Sequence, residues 1–188
     1  MREYAKHVLV TGGAGYIGSH VAKALANRGF IPVTYDSLVS GHRWAVQWGP
    51  FWEGDIGDKA RMLDVMRRYG INAVIHLAAS AQVGESIVRP DFSFNNNVSK
   101  SLTLLDAMVE AGVRRVVFSS SCATYGTPLR MPITEDTLQV PVNPYGETKL
   151  MIEKALRWYS AAYELSIAAL LETIVNSAWK WHSREVLV

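Results

Sequence analysis

The fold is decided by one stretch near the N-terminus, Val8-Leu9-Val10-Thr11-Gly12-Gly13-Ala14-Gly15-Tyr16-Ile17-Gly18. An apolar run passes into a glycine cluster, and a helical pattern begins directly after it. Gly13, Gly15 and Gly18 fit the G-x-G-x-x-G spacing of a dinucleotide-binding turn, and Gly12, Gly15 and Gly18 fit the wider T-G-x-x-G-x-x-G spacing. Glycine permits a tight turn and a close backbone approach to a pyrophosphate, which the helix N-terminus attracts. We call residues 12–18 the glycine elbow.

An acidic residue follows the elbow at the distance that a dinucleotide site requires. Asp36 stands directly after the β-rich run 31–35, where its carboxylate can accept hydrogen bonds from the hydroxyls of an adenosine ribose. A glycine-rich turn alone is a weak signal. The strand before it, the helix after it and Asp36 together favour a nucleotide site over a purely structural turn.

Short β-rich runs alternate with longer helical stretches along the whole chain. This alternation predicts an α/β fold with a doubly wound parallel sheet (Rossmann-like) of six or so strands joined by right-handed crossovers. The expected strands are residues 7–11, 31–35, 51–54, 73–79, 115–121 and 166–170. The expected helices are residues 16–28, 58–69, 92–111 and 145–163, and residues 37–50 are expected to form a loop with little regular structure.

Composition narrows the classes of function. The chain has 188 residues, 49% of them hydrophobic and 19% charged, which suits one globular domain. A net charge of +2 with scattered basic residues argues against nucleic acid as a partner. No apolar run is long enough for a membrane span, and no signal-peptide core precedes the first strand, so a cytoplasmic location is expected. A lone cysteine, Cys122, excludes an internal disulfide, and the five histidines lack metal-ligand spacing.

The segment Tyr145-Gly146-Glu147-Thr148-Lys149 carries the second strong signal. A Tyr and a Lys four residues apart on a helix lie on one face, and a nearby ammonium favours the phenolate, which can then act as a general base. An exposed Tyr and Lys without a catalytic role show the same spacing. Its position downstream of a dinucleotide turn favours the catalytic interpretation.

Three serines, residues 119–121, stand where a buried strand is expected to end. In open α/β sheets ligands bind at the carboxyl ends of the strands, so a hydroxyl there can bond a substrate alcohol and the Tyr that deprotonates it. Serines at a strand end also satisfy backbone groups, and at least one of the three is expected to do only that. His76, inside an apolar run, is expected to be a satisfied core histidine rather than a catalyst.

Taken together, the motifs T-G-G-A-G-Y-I-G, V-I-H-L-A-A, V-G-E-S, N-N-N-V, F-S-S-S and Y-G-E-T-K resemble, in this order, the extended short-chain dehydrogenase/reductase family. Within that family the similarity is greatest to the branch that epimerises UDP-hexoses at the 4′-carbon. The resemblance runs from residue 7 to about residue 170. It implies a tightly held NAD that is reduced and reoxidised in each turnover, with a transient 4-keto sugar.

The resemblance also implies roles for individual residues. Tyr145 would take the proton of the 4′-hydroxyl, Lys149 would tune Tyr145 and hold the nicotinamide ribose, and Ser121 would bond the 4′-oxygen, so Ser121 and Tyr145 would contact the substrate. The implied cofactor contacts are Gly12, Gly15, Tyr16, Ile17 and Gly18 at the pyrophosphate, Asp36 and Ser37 at the adenosine ribose, Asp55 and Ile56 at the adenine, and Leu77, Ala78, Ala79 and Asn96 at the nicotinamide. The carboxylate of Asp36 would also repel the extra phosphate of NADP.

Two departures from the family pattern stand out. Ala81 replaces a lysine that often follows the H-x-A-x-x stretch, which weakens one cofactor contact. The second half of the family's sequence, a substrate domain that grips the UDP-sugar, is missing. Residues 1–170 are expected to form the NAD-binding domain, and residues 171–188 resemble the C-terminal helix of these enzymes, joined directly as an internal deletion would give. NAD binding should therefore survive, and epimerisation should be severely weakened.

Other functions stay open at this point. A UDP-pentose 4-epimerase would look the same, because the discriminating pocket is missing. A sugar-nucleotide 4,6-dehydratase needs carboxylates after the strand-end hydroxyl, where this chain has Cys122 and Ala123, and is disfavoured. A non-catalytic NAD-binding module is the alternative from another class. The resemblance also implies a homodimer formed through the helices expected at residues 92–111 and 145–163.

Overall fold

The computed structural model of the chain describes residues 6–128 and 130–172. Their six strands form one parallel sheet in the order β3-β2-β1-β4-β5-β6. The strands are β1 His7–Thr11, β2 Ile31–Asp36, β3 Phe51–Glu53, β4 Ala73–His76, β5 Arg115–Ser121 and β6 Ser166–Glu172. The strand order reverses between β1 and β4, and a doubly wound sheet binds its ligand at this switch point.

Within the described residues, six α-helices lie between the strands. They are α1 Tyr16–Ala26, α2 Lys59–Tyr69, α3 Val83–Val88, α4 Pro90–Phe94, α5 Lys100–Ala111 and α6 Pro144–Tyr163. A π-helical turn, Asn95–Ser99, joins α4 to α5, and short 3₁₀ turns lie at Arg43–Ala45 and Cys122–Tyr125. None of the helices in the described ranges combines the length and apolar character that crossing a bilayer requires.

Apolar side chains from the central strands and from α2 and α5 form the core. Leu9, Val33 and Val74 on three adjacent strands are fully buried, as are Met62 of α2 and Leu104 of α5. Strands covered on both faces need near-continuous apolar sequence, which explains the uninterrupted runs in β1 and β4. The packing fixes the strand ends, and these ends carry the polar side chains described below.

The observed elements confirm the predicted fold class. β1 and β5 have the predicted bounds, β2 is one residue longer than predicted, and β3 is one residue shorter. The helices predicted at 16–28, 58–69 and 145–163 lie within two residues of α1, α2 and α6. The predicted loop at 37–50 contains a single 3₁₀ turn.

Four details of the prediction were wrong. The strand predicted at 73–79 ends at His76, because residues 77–79 pass over the glycine elbow, where a Cβ on Gly12 would lie 2.7 Å from the Ala78 nitrogen. Helix α3 was not predicted, and the helix predicted at 92–111 begins at Pro90 and contains the π-helical turn. β6 runs on through Glu172, so Leu171 lies in a strand and not in a terminal helix. Residues 173–188, the rest of that expected helix, lie outside the described residues.

Candidate active site

The glycine elbow is a close-packed turn of backbone at the end of β1. The Gly12 N–H donates to the Tyr35 carbonyl at 2.9 Å, and Gly12 has a φ of 73°, which favours glycine. A Cβ on Gly18 would lie 2.1 Å from the Gly12 oxygen. Gly15 occupies the N-cap of α1 without a side chain to cap it, so the first turn of this helix presents N–H groups suited to a phosphate.

Asp36 ties the elbow to the loop that follows β2. Its Oδ2 accepts from the Ala14 N–H at 2.9 Å, and its Oδ1 accepts from the Leu38 N–H at 2.8 Å. The side chain is buried, whereas Ser37 next to it is exposed. Each carboxylate oxygen has a second lone pair, so Asp36 can still accept hydrogen bonds from ribose hydroxyls.

Asp55, just after β3, forms an ion pair with Lys100 at the start of α5. Lys100 Nζ lies 2.5 Å from Asp55 Oδ2, and Asp55 Oδ1 accepts from the Gly57 N–H at 2.8 Å. Burial alone would raise the pKa of Asp55, but the hydrogen bonds from Lys100 and Gly57 and the charge of Lys100 outweigh it and lower the pKa. Lys100 also donates to Asn96 Oδ1 at 3.2 Å. Ile56 next to this pair is buried and offers an apolar contact.

Residues 77–80 form a wall above the carboxyl end of β4, and Asn97 holds it in place. Leu77, Ala78 and Ala79 are half-buried. The buried Asn97 accepts from the Ser80 N–H at 2.8 Å and donates to the Ser80 carbonyl at 3.0 Å. Its Nδ2 also lies 3.2 Å from Thr148 Oγ1 on α6.

The position of Asn97 in the π-helical turn lets one side chain reach both the wall and α6, and such turns frequently mark functional sites. Sequence reasoning assigned Asn96 to the cofactor and missed Asn97. The only signal for it was its place in the N-N-N-V motif.

Tyr145 and Lys149 lie in the first two turns of α6, which Asn143 caps by accepting from the Gly146 N–H at 2.8 Å. Lys149 Nζ lies 5.7 Å from the centre of the Tyr145 ring, so the two side chains are neighbours. The buried Lys149 ammonium also donates to the Ser119 carbonyl at 2.8 Å and lies 4.9 Å from the centre of the Phe118 ring. The Tyr145 N–H donates to Ser86 Oγ of α3 at 3.2 Å.

The three strand-end serines have different partners. The Ser119 carbonyl accepts from Lys149, and the Ser120 hydroxyl donates to the carboxylate of Glu153, one turn after Lys149 on α6. Ser120 therefore has a structural role, although its partner is a side chain and not the strand-end backbone group that was expected. The Ser121 hydroxyl accepts from the Ala123 N–H at 3.2 Å and keeps its own proton to donate.

Glu153, which sequence reasoning missed, also accepts from Gln139 Nε2 at 2.9 Å. Its buried carboxylate therefore joins α6 to the end of β5 and to the loop before α6. The spacing of four residues from Lys149 was the available signal, since it places both side chains on one face of the helix.

His76 is a satisfied buried histidine, as predicted. Its Nδ1 lies 2.8 Å from Thr11 Oγ1, and its Nε2 lies 2.8 Å from Ser101 Oγ. Burial, assisted by the positive charge of Lys149, lowers the pKa of His76 to about 3, so the imidazole is neutral. Among residues 6–128 and 130–172, His, Cys, Asp and Glu side chains form no cluster of three or more suited to a metal ion.

All of these groups lie at one edge of the sheet. Because the strands are parallel, the elbow after β1, Asp36 at the end of β2, residues 77–80 after β4 and Ser121 at the end of β5 meet there. Lys149 is tied to the same edge through the Ser119 carbonyl, and Tyr145 lies beside Lys149. The edge thus combines a turn suited to an anion with a phenol, an ammonium and a hydroxyl.

Comparison with known proteins identifies the family. The sequence pattern of the NAD dependent epimerase/dehydratase family matches residues 8–178. The UDP-glucose 4-epimerase of Rhizobium leguminosarum bv. trifolii is 51% identical over 152 residues, which cover 81% of this chain and 46% of the relative. The UDP-glucose 4-epimerase of Brucella ovis, solved in complex with NAD, is 54% identical and superposes with a TM-score of 0.87. The match covers 88% of this chain and 51% of the Brucella ovis chain.

A further solved relative broadens the range of ligands in the family. The UDP-glucose 4-epimerase of Stenotrophomonas maltophila was solved with NAD and formylated UDP-arabinopyranose. It is 40% identical with a TM-score of 0.86, and the match covers 88% of this chain and 52% of that one. The chain spans about half the length of the curated relatives that it matches. With the family pattern matched from the first strand through the last one, the chain belongs to the NAD dependent epimerase/dehydratase family.

Proposed function

We propose that this chain binds NAD along the carboxyl edge of the sheet and carries the catalytic groups of a UDP-sugar 4-epimerase. The observation that carries the proposal is that the glycine elbow and the Tyr145–Lys149 pair belong to the same edge. The relatives named UDP-glucose 4-epimerase, one of them solved with NAD, support it.

The residues present suit NAD. The elbow has no room for a Cβ at Gly12 or Gly18, and its helix N-terminus suits a pyrophosphate. Asp36, fixed by two backbone N–H groups, suits an adenosine ribose and disfavours the additional phosphate of NADP. The remaining contacts in this proposal are Gly15, Tyr16 and Ile17 at the pyrophosphate, Ser37 at the ribose, Asp55 and Ile56 at the adenine, and Leu77, Ala78, Ala79, Asn96 and Lys149 towards the nicotinamide.

The chemistry that bound NAD supplies is acceptance and return of a hydride at the 4′-carbon of a sugar. Tyr145 is the general base for the 4′-hydroxyl, because the neighbouring Lys149 ammonium favours its phenolate. Ser121 holds the 4′-oxygen through a hydroxyl whose proton stays available for donation. Lys149 is itself fixed by the Ser119 carbonyl, so its charge stays beside Tyr145.

Catalysis is proposed to be weak in this chain. The chain spans about half the length of its relatives, and epimerisation requires the sugar to be held firmly against the nicotinamide. A non-catalytic NAD-binding module is the second candidate, and the same difference in length favours it.

The first experiment identifies the nucleotide released when the purified protein is denatured. Near-stoichiometric NAD is expected, and a chain without nucleotide that also fails to take up added NAD would contradict the proposal.

A coupled assay with UDP-galactose then compares the wild-type chain with Tyr145→Phe and, as a control on the same helix, the exposed Tyr163→Phe. Loss of a general base lowers turnover by about 100-fold or more. Tyr163→Phe should leave it unchanged, and an NAD-binding module would show no turnover in any variant.

The substrate sugar is proposed to be a hexose, with a pentose as the alternative. The Stenotrophomonas maltophila relative was solved with a UDP-arabinopyranose derivative, and this pentose ligand keeps the alternative open. Parallel assays with UDP-galactose and UDP-arabinose decide between them. A 4,6-dehydratase stays disfavoured, because Cys122 and Ala123 offer no carboxylate for an elimination.

A cytoplasmic location is part of the proposal, because a single cysteine is compatible with a reducing compartment.

A homodimer formed through α5 and α6 is also part of the proposal. Met151 and Trp158, seven residues apart on one face of α6, are 39% and 75% exposed. Exposed apolar side chains in a row suit a helix-to-helix contact. Sedimentation of the wild-type chain should show a dimer, and Trp158→Lys should shift it towards a monomer.

A further inference from the structure

A chain of side-chain hydrogen bonds runs beneath the site from the glycine elbow to the π-helical turn. It begins at Thr11, the residue before Gly12, and passes through His76 at the end of β4 to Ser101 of α5. Ser101 Oγ then donates to the backbone carbonyl of Asn97. All four residues are buried, so none of these groups can exchange its partner for water.

The direction of each bond follows from the last one. A carbonyl oxygen only accepts, so the single hydroxyl proton of Ser101 is committed to Asn97. Ser101 can therefore only accept from His76, which makes Nε2 the protonated nitrogen of the ring. Nδ1 is then an acceptor, and the Thr11 hydroxyl donates to it. The chain of donors runs one way, from Thr11 to Asn97.

We propose that His76 is a positioning residue, held as the single neutral Nε2–H tautomer, which couples the glycine elbow to Asn97. Asn97 in turn clamps Ser80 and contacts Thr148, the residue before Lys149. The elbow itself packs against the start of the wall, where a Cβ on Gly12 would meet Ala78. His76 thus links the glycine elbow, proposed to bind the pyrophosphate, to the residues proposed to face the nicotinamide. The functional part of this inference rests on the proposed NAD site.

The tautomer is tested on the wild-type protein by multiple-bond ¹H–¹⁵N correlation of the His76 ring at pH 7, which separates the two neutral tautomers and the imidazolium. The expected spectrum shows a protonated Nε2 and an unprotonated Nδ1. A protonated Nδ1, an imidazolium, or a mixture in exchange would overturn the one-way chain. This measurement does not depend on NAD.

The coupling is tested by Thr11→Val, which removes the hydroxyl and keeps the shape of the side chain. Loss of a buried hydrogen bond of this kind is expected to speed amide exchange at Ser80, at the other end of the chain, and to weaken NAD binding, each by about tenfold. Thr11→Ser restores the donor and should behave as the wild type.

The matched control is Thr34→Val on the neighbouring strand β2. Thr34 is also fully buried, and within the described part of the chain its hydroxyl has no hydrogen-bond partner. This variant should change neither Ser80 exchange nor NAD affinity. Equal behaviour of Thr11→Val and Thr34→Val would overturn the positioning role. A wild-type chain that binds no NAD would instead refute the proposed function, while the ring spectrum and Ser80 exchange would still decide the role of His76.

Discussion

At the scale of single residues, the candidate site is supported by side chains that are buried and hydrogen-bonded. Lys149, Glu153, His76 and Asn97 are all buried, and each holds two elements together through hydrogen bonds. Such groups are costly to leave unpaired, because a lost partner cannot be replaced by water. Substitutions of these residues should therefore affect stability as well as function.

His76 makes the stability of the fold depend on pH. Folding lowers the pKa of His76 from 6.5 to about 3, so between these values the unfolded chain binds a proton that the folded chain does not. The contribution of this group is fully present above pH 6.5, and it is lost as the pH falls, by about 1.4 kcal/mol per pH unit. Urea unfolding of the wild-type chain and of His76→Gln, between pH 7 and about pH 5, measures the difference in slope. Identical slopes would contradict the neutral buried ring.

Gly18 tests the packing of the elbow. A Cβ at this position would lie 2.1 Å from the Gly12 carbonyl oxygen, which is backbone and cannot rotate away. Gly18→Ala should lower the free energy of unfolding by about 1–3 kcal/mol, as overpacking does, and abolish NAD binding.

Gly84→Ala in α3 is the control for this variant, because a Cβ there would meet nothing within 4 Å. It should keep NAD binding and leave stability unchanged or higher by up to about 1 kcal/mol. Both quantities come from denaturant unfolding and NAD titration of the purified variants. Normal NAD affinity in Gly18→Ala would show that the elbow is looser than its geometry indicates.

At the scale of elements, long periodic runs were predictable and short or irregular ones were not. The apolar runs of β1 and β5 define their strands without help from other parts of the chain. Helix α3 has only six residues, too few to show a helical period. The π-helical turn was missed because its residues read as part of one continuous helix. The end of β4 was missed because residues 77–79 continue the apolar run beyond the strand.

The N-cap of α6 should matter for activity as well as for stability. Asn143→Ala removes the side-chain acceptor for the Gly146 N–H and should cost about 1 kcal/mol of folding free energy. Tyr145 lies in the turn that this cap secures, so turnover in the UDP-galactose assay should fall in parallel. Asp58→Ala removes an equivalent cap from α2, where Asp58 accepts from the Arg61 N–H at 3.0 Å. It should show the same loss of stability with turnover per folded molecule unchanged.

At the scale of the whole molecule, the sequence identifies candidate catalytic and binding residues but not the residues that hold them in place. The spacing of the elbow, Asp36 and the Tyr145–Lys149 pair is local and can be read along the chain. The partners Asn97, Ser101, Glu153 and Gln139 come together only when helices, strand ends and loops have packed, so no short motif reveals them. The residues proposed to meet the ligand can be listed from the sequence, whereas the network that supports them cannot.

Ligand-induced stabilisation separates the cofactor half of the function from the substrate half. A ligand that binds only the folded chain adds about 2.7 kcal/mol at a hundredfold excess over its dissociation constant. NAD should raise the unfolding midpoint accordingly, whereas NADP at the same concentration should have a smaller effect because of Asp36. UDP-galactose should give little stabilisation, since the chain spans about half the length of its relatives. Strong stabilisation by UDP-galactose would show that the substrate grip is present after all.

The π-helical turn at Asn95–Ser99 has a consequence for insertions and deletions. A π-helical turn holds about one residue more than an α-helical turn, so removing one residue here would restore regular winding and leave α4 and α5 close to their present relative orientation. The helix would survive such a shortening, but the residues inside the turn would shift around the axis, and Asn96 and Asn97 would lose the positions from which they now meet Lys100 and Ser80. Length, and not only residue identity, is therefore under constraint in this segment.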